Sequence, residues 1–272
     1  MNVTYVWTTN VSNMRVTDTA NFWGIGDVVR GMIATNILCL EHGYNFNIDM
    51  SRHPISHWLK YNTSQIPKSS EIIFFAANEI NKLLKYIQTR KTDNAVLMTN
   101  AFFNEKSSHI GAAIDYVKRA FEPNDIMEKR LNTVVNNLKL TPEHKTLHLR
   151  VGDDYMVREK DGHHKLNMID KIVSRYDMSK TLIVSDSNTI KKYIQSKHPE
   201  AIMYDVDHIT HIGRCEDKRH ALNTFIEMLL ISSTGSIDSY TKYNHNSGFV
   251  GLVNTLFGTP VTYKQRNVKW TY

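Results

Sequence analysis

The chain has 272 residues, 41% of them hydrophobic and 22% charged, and 33 basic against 27 acidic side chains leave a formal charge of +6. That apolar share is enough for a real core and excludes a disordered chain. No run of about eighteen apolar residues exists, which excludes a spanning helix. The cations are spread out, and pairs such as Lys118 with Arg119 and Lys129 with Arg130 lie among acids. That distribution argues against nucleic acid, whose binders gather charge on one face, and fits attraction of an anionic small substrate.

Strand and helix patterns alternate from the start. Residues 3–8 form a β-branched and aromatic run. After a polar stretch, Gly24, Gly26, Asp27, Arg30 and Gly31 open a helix in which Ile25, Val28, Val29, Met32, Ile33, Ile37 and Leu40 recur near helical period. Gly43 supplies its stop. Short strands are predicted at 45–48, 71–75 and 95–98, with helices through 81–87 and 110–121. A turn at 122–125, a polar helix to 138 and a break at 141–144 mark a boundary. Domains of residues 1–138 and 139–272 follow from it. The second half repeats the alternation, with strands at 146–149, 182–184, 201–204 and 235–237 and helices near 166–175, 188–196, 218–231 and 247–257. The expected fold class is α/β: two Rossmann-like domains with mostly parallel sheets facing across a cleft.

Cys39 and Cys215 are the only cysteines, outside any CxxC pair, and read as buried thiols in a reducing compartment. The opening residues show no basic region followed by an apolar one, so no secretory signal is expected. The Asn-x-Ser/Thr matches at Asn2, Asn10 and Asn62 then carry no glycan, and a cytoplasmic protein is the simplest expectation.

Two apolar runs end in charge: His148, Arg150 and Asp153 close one, Ser185 and Asp186 the other. Ligands of open α/β sheets sit beyond the carboxyl ends of the strands. Arg150 there can grip a phosphate bidentately and keeps its proton, or it can pair with Asp153 or Asp154. The polar loop after it offers Asp154 and Glu159 as general bases, with His163 and His164 as further candidates. Gly24, Gly26 and Asp27 make a partial glycine-rich turn, lacking the third glycine of a dinucleotide fingerprint because position 29 is Val. Asp27 either contacts a ligand or offsets the helix dipole; Arg30 either faces an anion or pairs with Asp27. Asp205 or Asp207 can accept both N1–H and N2–H of guanine. The loose spacing of His208, His211 and Cys215 beside them argues against zinc. Ser247 and Gly248 begin a helix, as a plain N-cap or as a hydroxyl and free N–H groups for a diphosphate. Trp23, Trp58 and Tyr155 are aromatic candidates for stacking on a sugar.

These segments, in this order, resemble the inverting fucosyltransferase superfamily, with its α1,2-, α1,6- and protein O-fucosyltransferases and rhizobial enzymes. The first motif, His-x-Arg-Arg-x-Asp, is matched by His148, Arg150 and Asp153, with Val151 in place of the second arginine. The second, a strand running into Ser/Thr-Asp, resembles Ile183 to Asp186. The third resembles the helix from Arg219 to Ile231 followed by Ser247, Gly248 and Phe249. Gly24, Gly26 and Asp27 resemble the family's Gly-x-Gly-Asp/Asn loop.

The resemblance implies a GT-B fold with the nucleotide held mainly by the second domain. It also implies a metal-independent inverting transfer from a nucleotide sugar, most often GDP-fucose, to a glycan hydroxyl, with no further cofactor. Arg150 would meet the diphosphate, with His148 and Asp153 supporting it and Ser185, Asp186 and Ser247 lining the nucleotide pocket. Glu159 or Asp154 would deprotonate the acceptor. The same fold with another donor, UDP-xylose or a rhamnose nucleotide, and a non-catalytic nucleotide- or glycan-binding protein are the alternatives.

Overall fold

In the computed structural model the alternating pattern builds two parallel sheets of four and five strands. The structure describes residues 1–9, 23–61, 66–67, 70–90, 94–151, 162–204, 212–214, 217–243 and 245–264. Compactness divides the chain into Met1–Glu128 with His211–Leu222, and Lys129–Thr210 with Asn223–Tyr272.

The first unit holds β1 (Asn2–Val6), α1 (Ile25–His42), β2 (Asn45–Asp49), β3 (Ile73–Phe75), α2 (Ile80–Thr89), β4 (Ala95–Thr99) and α3 (Ile110–Ala120). Its strand order is β2-β1-β4-β3, all parallel. Every residue of β4 is buried, as an interior strand of a parallel sheet requires. Helices α2 and α3 lay Leu83, Ile87, Ala113 and Val117 into the core. Gly24 caps α1, donating its N–H to Asp27 Oδ2 at 3.3 Å, and Gly43 ends it in the left-handed region at φ 68°. Gly31 lets α1 approach β4 closely: a Cβ there would lie 1.8 Å from the Thr99 carbonyl oxygen, which accepts the Tyr5 hydroxyl at 2.6 Å. Cys39 is buried as expected, and burial pushes its thiol up to about 12.

Ile212 and Lys218 are fastened to this unit at a short turn, Pro54–Trp58, and its cap His53. His53 Nδ1 accepts the Ile55 N–H at 3.1 Å, so its proton sits on Nε2 and is donated to the Ile212 carbonyl at 3.0 Å. Trp58 Nε1 donates to the Lys218 carbonyl at 3.0 Å.

The second unit holds β5 (Lys145–Arg150), α5 (Gly162–Val173), β6 (Thr181–Ser185), α6 (Asn188–Lys197), β7 (Ile202–Met203), β8 (Ser236–Thr241), α8 (Gly248–Phe257) and β9 (Val261–Tyr263). The division between units falls inside α4 (Asp125–Leu138) and inside α7 (Lys218–Ser232). The expected boundary, 138/139, lies at the C-terminal end of α4. The strand order is β7-β6-β5-β8-β9, again parallel. From β5 the chain steps twice to one side, then crosses to lay β8 and β9 on the other.

One face of β5 carries Leu147 and Leu149, followed by Val151, into a core with Ile169, Ile172, Ile190, Ile194 and Tyr240. The alternate residues meet polar partners. Thr146 shares a 2.9 Å hydrogen bond with Thr234, and His148 Nδ1 lies 3.0 Å from Ser239 Oγ. A buried ion pair, Lys191 with Glu227 at 3.0 Å, also holds the Tyr204 carbonyl at 2.9 Å.

Two predictions follow from this packing. Gly31→Ala pushes a methyl group into the backbone of β4 and lowers stability by about 3 kcal/mol, read as a fall of roughly 5–10 °C in melting temperature. An unchanged melting temperature contradicts the close approach. The second concerns acid. Burial holds His53 down to about 4. Burial, with the Arg150 charge second, holds His148 down to about 3. Below the ordinary 6.5 the unfolded chain takes up protons that the folded chain refuses, so stability is full above that value and falls on acidification. Melting temperature should drop between pH 6.5 and 5, above the carboxylate range, and His53→Gln should flatten that slope. A slope that is the same in the variant and the parent rules out a neutral buried imidazole at that position.

Candidate functional site

The strand order of the second unit reverses between β5 and β8, and a crevice beyond the carboxyl ends of such a pair is where open α/β sheets bind ligands. The two strands end on one rung, Arg150 opposite Thr241. Lys242 N–H donates to the Arg150 carbonyl at 3.2 Å and carries the ladder one residue further. Strand alternation sends Leu149 and Val151 into the apolar core, and Arg150 between them is left half-buried at the rim.

The guanidinium of Arg150 is held by an aromatic ring and an imidazole. Its Cζ lies 5.0 Å from the centroid of the Tyr243 ring, and its Nη1 is 3.5 Å from His245 Nε2, a long hydrogen bond. The rings of Tyr243 and His245 stack at 5.7 Å. Among the described residues, no carboxylate lies within ion-pair distance of Arg150. Its charge is therefore not neutralised by a described partner.

The neighbouring strand end fixes the backbone on both sides of Arg150. Ser185 Oγ donates to the Leu149 carbonyl at 2.8 Å, and Asp186 Oδ1 accepts the Val151 N–H at 2.8 Å. Ser185 is buried and spends its hydroxyl on this fastening, also accepting the Ser187 N–H at 3.1 Å. His148 is buried and neutral beneath Arg150 on the same strand.

Six residues after Thr241, Ser247 caps α8, with Gly248 as the first helical residue. An N-cap serine ordinarily accepts an N–H of the first turn. Here the side chain makes no capping bond, is only 1% exposed, and its Oγ has no hydrogen-bond partner. An orphaned hydroxyl of this kind costs about 1–3 kcal/mol. No acidic residue lies in the first turn of α8. Arg150 at the end of β5 and the unused Ser247 hydroxyl at the N-terminus of α8 are both features that suit an anion.

Gly24, Gly26, Asp27 and Arg30 belong to the first unit. Asp27 serves the N-terminus of α1 and accepts Arg30 Nη2 at 2.9 Å. Arg30 also donates from Nε to the Asn100 carbonyl at 3.0 Å and lies 4.1 Å from the Phe102 ring centroid. Arg30 thus makes the contact to Asp27 that was one of the two readings open for it. Gly26 sits within the first turn of α1. Trp23 is buried, and Trp58 spends its indole N–H on the Lys218 carbonyl.

Asp153, Asp154, Tyr155 and Glu159 lie outside the described residues, as do Asp205, Asp207, His208, His211 and Cys215, and the side chains of His163 and His164. Among the described residues, no group of three His, Cys, Asp or Glu side chains could hold a metal, and no helix is long and apolar enough to cross a membrane. Sequence reasoning passed over Lys242, Tyr243 and His245. Their signal was the same as at Arg150, a strand ending in charge. It was obscured because Asp238 and Ser239 inside β8 look like the end of a strand at 237.

No family model and no curated protein matches the chain. Solved structures do. A variant of FUT1 from Arabidopsis thaliana in complex with GDP aligns at TM-score 0.57 and 12% identity, over 98% of this chain and 71% of that one. Fucosyltransferase NodZ from Bradyrhizobium aligns at TM-score 0.53 and 11% identity, over 93% and 91%. NodZ α-1,6-fucosyltransferase soaked with GDP-fucose gives 0.52 and 11%, over 94% and 92%. With its paired parallel sheets and a cation at the switch point of the second, the chain has the GT-B fold of the fucosyltransferases.

Proposed function

We propose that the chain is a glycosyltransferase that moves fucose from GDP-fucose to a glycan hydroxyl, with inversion and without a metal. The observation that carries this reading is Arg150 at the end of β5, 3.5 Å from His245 in the turn that leads to α8, whose N-cap Ser247 hydroxyl is buried and unpartnered. The likeness to structures described with GDP and GDP-fucose supports the choice of donor.

The chemistry follows from charge. As the bond from sugar to diphosphate breaks, negative charge gathers on the phosphate oxygens. A guanidinium that cannot lose its proton, together with aimed N–H and O–H donors, stabilises that charge where it develops. In this reading the protein supplies the countercharge, so no divalent ion is needed. The acceptor hydroxyl attacks the anomeric carbon from the opposite face as Glu159 or Asp154 takes its proton. Asp205 or Asp207 reads the guanine edge. In this reading Asp153 supports the strand end that carries Arg150. We place the reaction in the cytoplasm.

Calorimetric titration with GDP, UDP, dTDP and ADP, with and without EDTA, tests the proposal. GDP should bind tightest and be indifferent to EDTA. Arg150→Ala should weaken it by about 100-fold, the effect of removing a partner from a charged contact, and Ser247→Ala by about tenfold. Release of GDP from GDP-fucose with a panel of glycan acceptors should accompany binding and vanish in Arg150→Ala. A preference for UDP or dTDP redirects the assignment to UDP-xylose or a rhamnose nucleotide. Binding without turnover on any acceptor leaves a nucleotide-binding scaffold. GDP affinity unchanged in Arg150→Ala overturns the site.

A further inference from the structure

A lone exposed phenylalanine says little, but Phe102 in the first unit is pinned in place. Its ring is 64% exposed, and Arg30 Cζ lies 4.1 Å from the ring centroid. Arg30 is itself fixed, with Nη2 on Asp27 Oδ1 at 2.9 Å and Nε on the Asn100 carbonyl at 3.0 Å. The guanidinium therefore covers one face of the ring, and exposure of that size leaves the other face open. Asp27 offsets the charge of Arg30, so the platform is not built for an anion.

The platform stands at the switch point of the first sheet. From β1 the chain goes to β2 on one side, while β4 lies on the other, and ligands of such sheets sit beyond the carboxyl ends of that pair. Among the described residues, four buried side-chain atoms lack a hydrogen-bond partner. Three of them fall within three residues of the carboxyl ends of β1, β2 and β4: Trp7 Nε1, Arg52 Nε and Asn100 Oδ1. Trp7 is fully buried and held against the His53 ring, with centroids 3.7 Å apart. Each unpaired atom destabilises the fold, and three along one sheet edge need an explanation. Two of them donate and one accepts. A hydroxyl does both, whereas a deprotonated phosphate oxygen only accepts and leaves Asn100 Oδ1 unserved. An open aromatic face, mixed donors and acceptors, and an offset charge together select a neutral, polyhydroxylated ligand.

We propose that Phe102 is the stacking platform of a carbohydrate site on the first unit, and that the acceptor glycan binds there. One sugar ring lies on the open face of Phe102, with its hydroxyls turned to Asn100. Naming this ligand the acceptor rests on the transferase reading above; the carbohydrate site does not.

The test uses the full chain and neutral oligosaccharides (chitotetraose, cellotetraose, mannotetraose and lacto-N-tetraose), titrated without nucleotide and followed by ligand-observed NMR. GDP is titrated separately. At least one oligosaccharide should bind, and inorganic phosphate should not displace it. Phe102→Ala should weaken that binding about tenfold and Phe102→Trp should restore it, because the site needs an aromatic face. Since the side chain is exposed, both variants should keep the parental melting temperature, and both should keep the parental affinity for GDP. No binding of any oligosaccharide to the parent, or equal binding in Phe102→Ala, overturns the site. Displacement by phosphate overturns its preference for a neutral ligand. Oligosaccharide binding by a chain that fails to bind GDP upholds the site and overturns the transferase reading instead.

Discussion

The second unit is organised around a guanidinium kept charged at the end of a buried strand. Burial of Leu147, Leu149 and Val151 fixes the pleat of β5, and the pleat leaves Arg150 no place but the rim. Thr241 ends the neighbouring strand on the same rung, so the turn leading to α8 has to start beside that cation. Among the described residues its partners are a ring face and an imidazole. These steer the guanidinium without cancelling its charge, as a carboxylate would. The proposed diphosphate site needs that difference, because a paired arginine would have to break an ion pair before binding.

The supporting residues are spent on backbone geometry. Ser185 and Asp186 tie the end of β6 to the carbonyl of Leu149 and the N–H of Val151, bracketing Arg150 from both sides. His148, buried and neutral, hydrogen-bonds sideways to Ser239 and adds no competing charge. Strand ends tied in this way hold a side chain in one place before a ligand arrives, which lowers the ordering cost of binding.

Much of this was legible in the sequence because strand alternation and chain order are local. The apolar runs ending at Arg150 and Asp186 stand out, and the helix-period residues of α1, α2 and α3 give their faces directly. What was hidden depended on partners distant in sequence. The polar Asp238 and Ser239 read as a strand end, yet they lie inside β8, where Asp238 accepts Tyr176 and Ser239 meets His148. Three-residue β9 has too little pattern to be seen alone and forms only by pairing with β8. In the partial glycine motif of α1 the packing role fell outside the pattern. Gly24 and Asp27 cap the helix, Arg30 pairs with Asp27, and Gly31, outside the fingerprint spacing, carries the close packing on β4. Residues 212–214 and 217–222 are tied to the first unit by hydrogen bonds from His53 and Trp58 and by Lys218 Nζ at 2.6 Å from His57 Nε2, which no periodicity announces.

A crystal structure of the chain with GDP puts the central claim to the most direct test. The diphosphate should lie across the carboxyl ends of β5 and β8, with the Arg150 guanidinium and the Ser247 hydroxyl both within hydrogen-bond distance of its oxygens. GDP bound elsewhere, or bound with Arg150 turned onto a carboxylate and Ser247 still unpartnered, would contradict it.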